Sequence, residues 1–203
     1  MDHVISGVAK FQKEVYPNKK ATFQKLATGQ NPEVLFITCS DSRIDPNLVT
    51  QTDPGELFIC RNAGNIVPPH SNQTGGMTAS IEFAVAALGV SHIVICGHTD
   101  CGAMKGAINP EGLSALPHVK EWLGHCRVAT EVVKERCGHS DLSIDDLEAV
   151  TKENVVQQIQ HLRTHPAVAA KIATGQVKLH GWVYNIGSGE VLYYNTESGE
   201  FDV

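Results

Sequence analysis

The 203-residue chain contains no apolar run long enough to cross a bilayer. Its longest such stretches, Val34–Thr38 and Ile93–Cys96 among them, are strand length. No basic segment leads into an apolar one near Met1, so no secretory signal is legible. These absences predict a soluble, cytoplasmic protein with no membrane partner. A basic run is also missing. Sixteen Lys and Arg stand against 22 Asp and Glu, a formal net charge of −6, which argues against a nucleic-acid partner. There is no internal repeat, low-complexity tract or Pro/Gly-rich linker, so a single domain is expected over 1–203, with 1–28 as an N-terminal helical arm. No Cys-x-x-Cys pair occurs among the six cysteines, which disfavours a thiol redox protein. A chain of this size needs no disulfide staples, and in a reducing compartment its thiols remain available as metal ligands or core residues.

What is present alternates between two periodicities. Val4, Ile5, Val8, Phe11 and Val15 recur at helical spacing, and Pro17 interrupts them, predicting two short amphipathic helices. Val34–Thr38, Leu57–Cys60 and His92–Cys96 are continuous apolar runs suited to buried strands. Ala79–Leu88 reads as a buried helix stopped by Gly89. Leu116–Cys137 and Ile144–Leu162 read as long helices, the second capped by Asp141 or Ser143 with Asp145 and Asp146 in its first turn. Gln176–Ile186 and Glu190–Tyr194 read as a closing pair of strands around Gly187-Ser188-Gly189. The whole predicts an α/β fold with a central, mostly parallel β-sheet flanked by helices.

Two clusters fall at the ends of predicted central strands, where such folds bind ligands. They are Cys39-Ser40-Asp41-Ser42-Arg43 and Cys96-Gly97-His98-Thr99-Asp100-Cys101-Gly102. Together they offer two thiolates and an imidazole, a donor set that zinc accepts. Strand-end cysteines are also common as plain core residues. A structural zinc site would fill its fourth position, and Asp41 could do so. A catalytic site would keep that position open, and Arg43 could hold Asp41 back through a bidentate ion pair. An ordinary surface ion pair is the bland alternative for Asp41 and Arg43.

The two clusters in order resemble the signature of β-class carbonic anhydrases. So do Arg61-Asn62-Ala63-Gly64-Asn65 and the stretch from Gly75-Gly76 to Glu82-Phe83-Ala84. The resemblance runs from the helical arm to His180-Gly181-Trp182-Val183-Tyr184 and looks closest to the plant-like and bacterial subgroup. It implies a zinc-dependent lyase that reversibly hydrates CO2 to bicarbonate and a proton by zinc-bound hydroxide. Cys39, His98 and Cys101 would be the zinc ligands, and Asp41, paired with Arg43, would accept the hydroxide's hydrogen bond. Gln30 would donate to a substrate oxygen and the Gly102 amide would help hold bicarbonate. Phe58 and Ala63 would wall the CO2 pocket, with Ala63 where Val is frequent and Phe83 where Tyr is usual. The resemblance also implies a homodimer or larger homo-oligomer, in which Phe58 and Gln30 can serve the opposite chain's site. A relative acting on carbonyl sulfide or carbon disulfide is the alternative within enzymes.

Overall fold

The computed structural model describes residues 1–72 and 74–203. The chain divides into two compact units, Met1–Asn31 and Pro32–Val203. In the first, the Asp2–Lys10 helix runs through a π turn at Phe11–Val15 into Tyr16–Asn18, and a further helix spans Lys20–Leu26. Pro17 does not end the helix as the sequence suggested. It lies inside the helical run, directly after the π turn, a local change of hydrogen-bond spacing of the kind found where a helix carries a residue that breaks its ladder. The break comes at Lys19 (φ −111°, ψ 14°). Phe11, Tyr16 and Phe23 cluster with ring centroids 5.5 to 6.2 Å apart. Val4, Ile5 and Val8 stay about half exposed.

The second unit is built on one sheet. Its strands are β1 (Val34–Cys39), β2 (Leu57–Asn62), β3 (His92–His98), β4 (Lys178–Tyr184), β5 (Val191–Tyr194) and β6 (Phe201–Asp202). Their order is β2-β1-β3-β4-β5-β6. The first four are parallel and the last two antiparallel. Alternation along each strand separates two faces. Leu35, Ile37, Ile93 and Ile95 join one core with Val155, Ile159 and Leu162 of the Leu147–Thr164 helix. Phe36, Val94 and Cys96 face the other way, packed with Ile44 and Trp182. Each such aliphatic side chain stabilises the fold by about 1.5–3 kcal/mol when fully buried. The helix lies so close to the sheet that a Cβ on Gly181 would meet Ile159 Cδ1 and Val155 Cγ1 at 2.9 Å and Tyr194 Cβ at 3.1 Å.

Several boundaries differ from those the sequence suggested. Leu116–Cys137 is not one helix but Pro117–Leu123 and Arg127–Cys137, joined by a 3₁₀ turn at Gly124–Cys126. Gly124 is a poor helix former, and the tighter turn brings Cys126 fully into the core with Ala129 and Val133. The Ile144–Leu162 helix begins as a 3₁₀ turn, Ile144–Asp146, capped by Ser143 in a reciprocal capping box with Asp146. Asp141 is not the cap. The Ala79–Leu88 helix starts earlier, at Gly76, turns π-like at Phe83–Leu88, and stops at Gly89 (φ 73°) as expected. Three short helices were not foreseen: Pro46–Thr50, Gly102–Ile108 and Pro166–Ala173. Nor was β6, although the turn before it repeats the one before β5. Asn185 accepts from Gly187 N and Ser188 N, and Asn195 accepts from Glu197 N and Ser198 N.

Candidate active site

From β1 the chain crosses to the edge strand β2 and returns on the far side as β3, so β1 and β3 diverge at a switch point. Open sheets bind ligands in the crevice beyond the carboxyl ends at such a point. Cys39 is the last residue of β1 and His98 the last of β3. Asp100 adopts φ 57°, a left-handed turn that Asp tolerates better than most side chains. That turn delivers Cys101 as the cap of the Gly102–Ile108 helix.

The three side chains converge. Their donor atoms all lie within 4.8 Å of one another, and all three residues are buried. The Cys39 and Cys101 sulfurs are 3.9 Å apart. His98 Nδ1 donates to the Thr99 carbonyl at 2.9 Å, which leaves the Nε2 lone pair aimed at the sulfurs. Nε2 is fully buried and has no hydrogen-bond partner among the described residues, an unfavourable state that a bound cation would relieve. The Cys101 S–H facing Cys39 lowers the Cys39 thiol pKa, with the Gly64 amide contributing from 3.4 Å. The resulting thiolate raises Cys101 in turn. Such a pair keeps one proton until a cation replaces it.

Asp41 stands beside this cluster, its Oδ2 3.9 Å from His98 Nε2. Arg43 holds it with Nη2 on Oδ2 at 2.7 Å, Nε on Oδ1 at 2.9 Å and its own amide on Oδ1 at 2.9 Å. That grip keeps the Asp41 carboxyl well below the usual carboxylate range. Arg43 Nη1 also binds Asp100 Oδ2 at 2.9 Å, and Lys105 pairs with the other Asp100 oxygen. Arg61 supports the loop from beneath, donating to the carbonyls of Cys39, Asp41 and Ile44 at 2.7 to 3.0 Å. Asp100, Lys105 and the bracing role of Arg61 were not singled out from sequence. The signal for Asp100 was its place between two donor residues, where the chain must reverse.

The remaining expected site residues separate into two groups. Ala63 is exposed next to Gly64, its carbonyl held by Trp122 Nε1 at 2.9 Å. Gly102 is exposed at the start of its helix, adjacent to Cys101. Phe58 and Phe83 lie together instead, ring centroids 6.0 Å apart. Phe58 pairs in register with Leu35, whereas Cys39 pairs with Asn62. That is four residues along the strand, about 13 Å at roughly 3.3 Å per residue. These two rings therefore do not join Cys39 within one chain. Gln30 is exposed and belongs to the N-terminal unit.

A sheet that gathers two thiols and an imidazole at its switch point, beside a restrained carboxylate, makes an α/β fold with a candidate metal site. The carbonic anhydrase family model matches residues 34–191. A carbonic anhydrase from Pseudomonas aeruginosa is 48% identical over 191 residues, covering 94% of this chain and 86% of that protein. One from Synechococcus elongatus is 45% identical over 202 residues, covering 98% of this chain and 74% of that protein. The solved β-carbonic anhydrase CcaA superimposes with a TM-score of 0.96 at 41% identity, over 100% of this chain and 98% of that one. The chain belongs to the carbonic anhydrase family, in its β class, and is an enzyme of reversible CO2 hydration to bicarbonate and a proton.

Proposed function

We propose that Cys39, His98 and Cys101 hold a catalytic zinc ion and that Asp41, positioned by Arg43, orients the water that becomes the nucleophile. The observation that carries this is the fully buried Nε2 of His98, without a hydrogen-bond partner among the described residues and within 4.8 Å of two sulfurs that are 3.9 Å apart. Two zinc–sulfur bonds of about 2.3 Å at tetrahedral angles place the sulfurs about 3.8 Å apart. The Thr99 carbonyl fixes the His98 tautomer that exposes Nε2. When bound, zinc supplies Lewis acidity that brings the ionisation of water toward neutral pH, as is known for carbonic anhydrases themselves.

The other residues position and exclude. Asp41 is kept ionised by Arg43 and is therefore a hydrogen-bond acceptor, not a proton donor. It receives an O–H from the reacting water and turns a lone pair toward CO2. The same ion pair stops the carboxylate from swinging in as a fourth ligand, which favours an open site over a closed structural one. The Gly102 amide opens its helix and needs no intrahelical carbonyl, so it is free to donate to bicarbonate. Ala63 contributes an apolar wall for CO2.

Phe58, Phe83 and Gln30 serve the site of a second copy. The register distance of Phe58 from Cys39 supports this, as does the exposed apolar stripe of the N-terminal unit. A Sordaria macrospora relative, 31% identical with a TM-score of 0.81 over 95% of each chain, is a tetrameric β-carbonic anhydrase.

Metal analysis with stopped-flow CO2 hydration, on wild type, Cys39→Ser and Asp41→Ala, tests the assignment. One catalytic zinc and fast hydration in wild type are expected, with hydration lost in both variants and the catalytic equivalent of zinc lost only in Cys39→Ser. Full activity in Asp41→Ala, or the wild-type zinc content kept by Cys39→Ser, would remove the roles assigned.

A further inference from the structure

A second group of metal-type donors lies on another part of the chain. Cys137, His139 and Asp146 place one donor atom each within 4.8 Å of one another. Local folding explains how they meet. Cys137 ends the Arg127–Cys137 helix, and Gly138 reverses the chain at φ 69°. The amides of Gly138 and His139 both close on the Lys134 carbonyl, which folds His139 back beside Cys137. Asp146 comes from the 3₁₀ turn that begins the next helical segment. Its Oδ2 is taken by Ser143 N at 2.8 Å and Ser143 Oγ at 3.2 Å. Its other oxygen, Oδ1, faces His139 Nδ1 at 3.1 Å. The Asp146 side chain is only 7% exposed, whereas His139 is half exposed and Cys137 is exposed.

We infer that Cys137, His139 and Asp146 form a second, surface zinc site, distinct from the catalytic cluster. One thiolate, one imidazole and one carboxylate make a borderline donor set that zinc tolerates better than calcium or magnesium does. The carboxylate is already oriented by its two Ser143 hydrogen bonds, as outer partners orient a metal ligand. Zinc takes the place of the proton that His139 Nδ1 shares with Asp146 Oδ1, and the Cys137 thiol proton leaves to solvent. Tetrahedral ligands at about 2.0–2.3 Å stand about 3.3–3.8 Å apart. The His139–Asp146 pair, at 3.1 Å, opens slightly to reach that range, and the exposed Cys137 side chain is free to swing toward it. The fourth position opens to water. The consequence is a clamp between the end of one helix and the start of the next.

The full chain, equilibrated in zinc-buffered solution, is assayed for bound zinc beside Cys137→Ser and His139→Gln. Wild type is expected to hold two equivalents and each variant one, with CO2 hydration unchanged in both variants. Cobalt added to enzyme already carrying one zinc should give a thiolate-to-cobalt charge-transfer band in wild type, absent in Cys137→Ser. A single equivalent in wild type, or a second equivalent kept by Cys137→Ser, overturns the site. Loss of the catalytic metal would instead remove hydration, so failure of the two assignments reads differently.

Discussion

Arg43 grips both carboxylate oxygens of Asp41, Nη2 on Oδ2 at 2.7 Å and Nε on Oδ1 at 2.9 Å, and thereby decides which way that carboxylate faces. Both ends of this pair are partly in solvent, Arg43 at 43% and Asp41 at 17% exposure. Its weight is therefore in positioning rather than stability. Arg43→Ala should keep the catalytic zinc, lose little stability, and lower kcat/KM on the order of 10–100-fold, the usual cost of removing a partner that orients a metal-site group. Stopped-flow hydration with zinc analysis checks it. Unchanged kcat/KM would deny Arg43 a positioning role.

Removing the catalytic metal should destabilise the fold. The ends of β1 and β3 would then carry a buried imidazole nitrogen without a partner and two facing thiols. A ligand that binds only the native state at 100 times its Kd stabilises by about 2.7 kcal/mol. Chelated enzyme should lose about that much or more by urea unfolding and regain it on zinc addition. Cys101→Ala, combined with Cys137→Ser, should be insensitive to chelator. Equal midpoints with and without chelator in wild type would contradict the donor cluster.

The convergence of the Cys39, His98 and Cys101 donors was legible in the sequence because they stand on short contiguous segments at strand ends. Cys39 with Asp41 and Arg43, and His98 with Cys101, each needed only one turn of chain to come together. Three of the four parallel strands were legible as continuous apolar runs, as in Val34–Thr38, whereas β4, with Lys178 and His180, was legible only as one of a closing pair. Elsewhere tertiary packing overrides the local pattern. The break at Gly124–Cys126 is set by how Cys126 seats in the core, and the apolar spacing around it looks continuous. Pro17 misled because the π turn at Phe11–Val15 carries the helix past it, and the chain breaks only at Lys19. The placement of Phe58 away from Cys39 follows from strand register, which no single strand's composition encodes.

Gly181→Ala should be destabilising without touching the site. A methyl group there meets Val155 and Ile159 on one side and Tyr194 Cβ on the other, and Tyr194 Cβ is fixed by strand β5. Overpacking of this kind costs typically about 1–3 kcal/mol. The urea midpoint should fall accordingly while zinc content stays the same. A midpoint equal to wild type would mean that the Leu147–Thr164 helix shifts on the sheet at little cost.

Acid should weaken the zinc-loaded enzyme through its buried histidines. Burial pushes His165 below its ordinary value, and burial likewise lowers His161 and His180. His165 is 3% exposed, with Nε2 donating to the Pro68 carbonyl at 3.0 Å. A depressed folded pKa means that the unfolded chain binds protons first as pH falls. The stability these groups permit is complete above about 6.5 and is lost as pH drops from there toward their folded values. His98, which the Cys39 thiolate, the Thr99 carbonyl and Asp41 raise against the effect of burial, would act with the opposite sign in metal-free chain. The measurement therefore uses metal-loaded enzyme. Urea midpoints at about pH 7.5 and about pH 5.5 bracket the ordinary histidine value. The midpoint should fall between them in wild type and fall less in His165→Gln, which has no imidazole to protonate. An identical fall in both would place the acid sensitivity elsewhere than at His165.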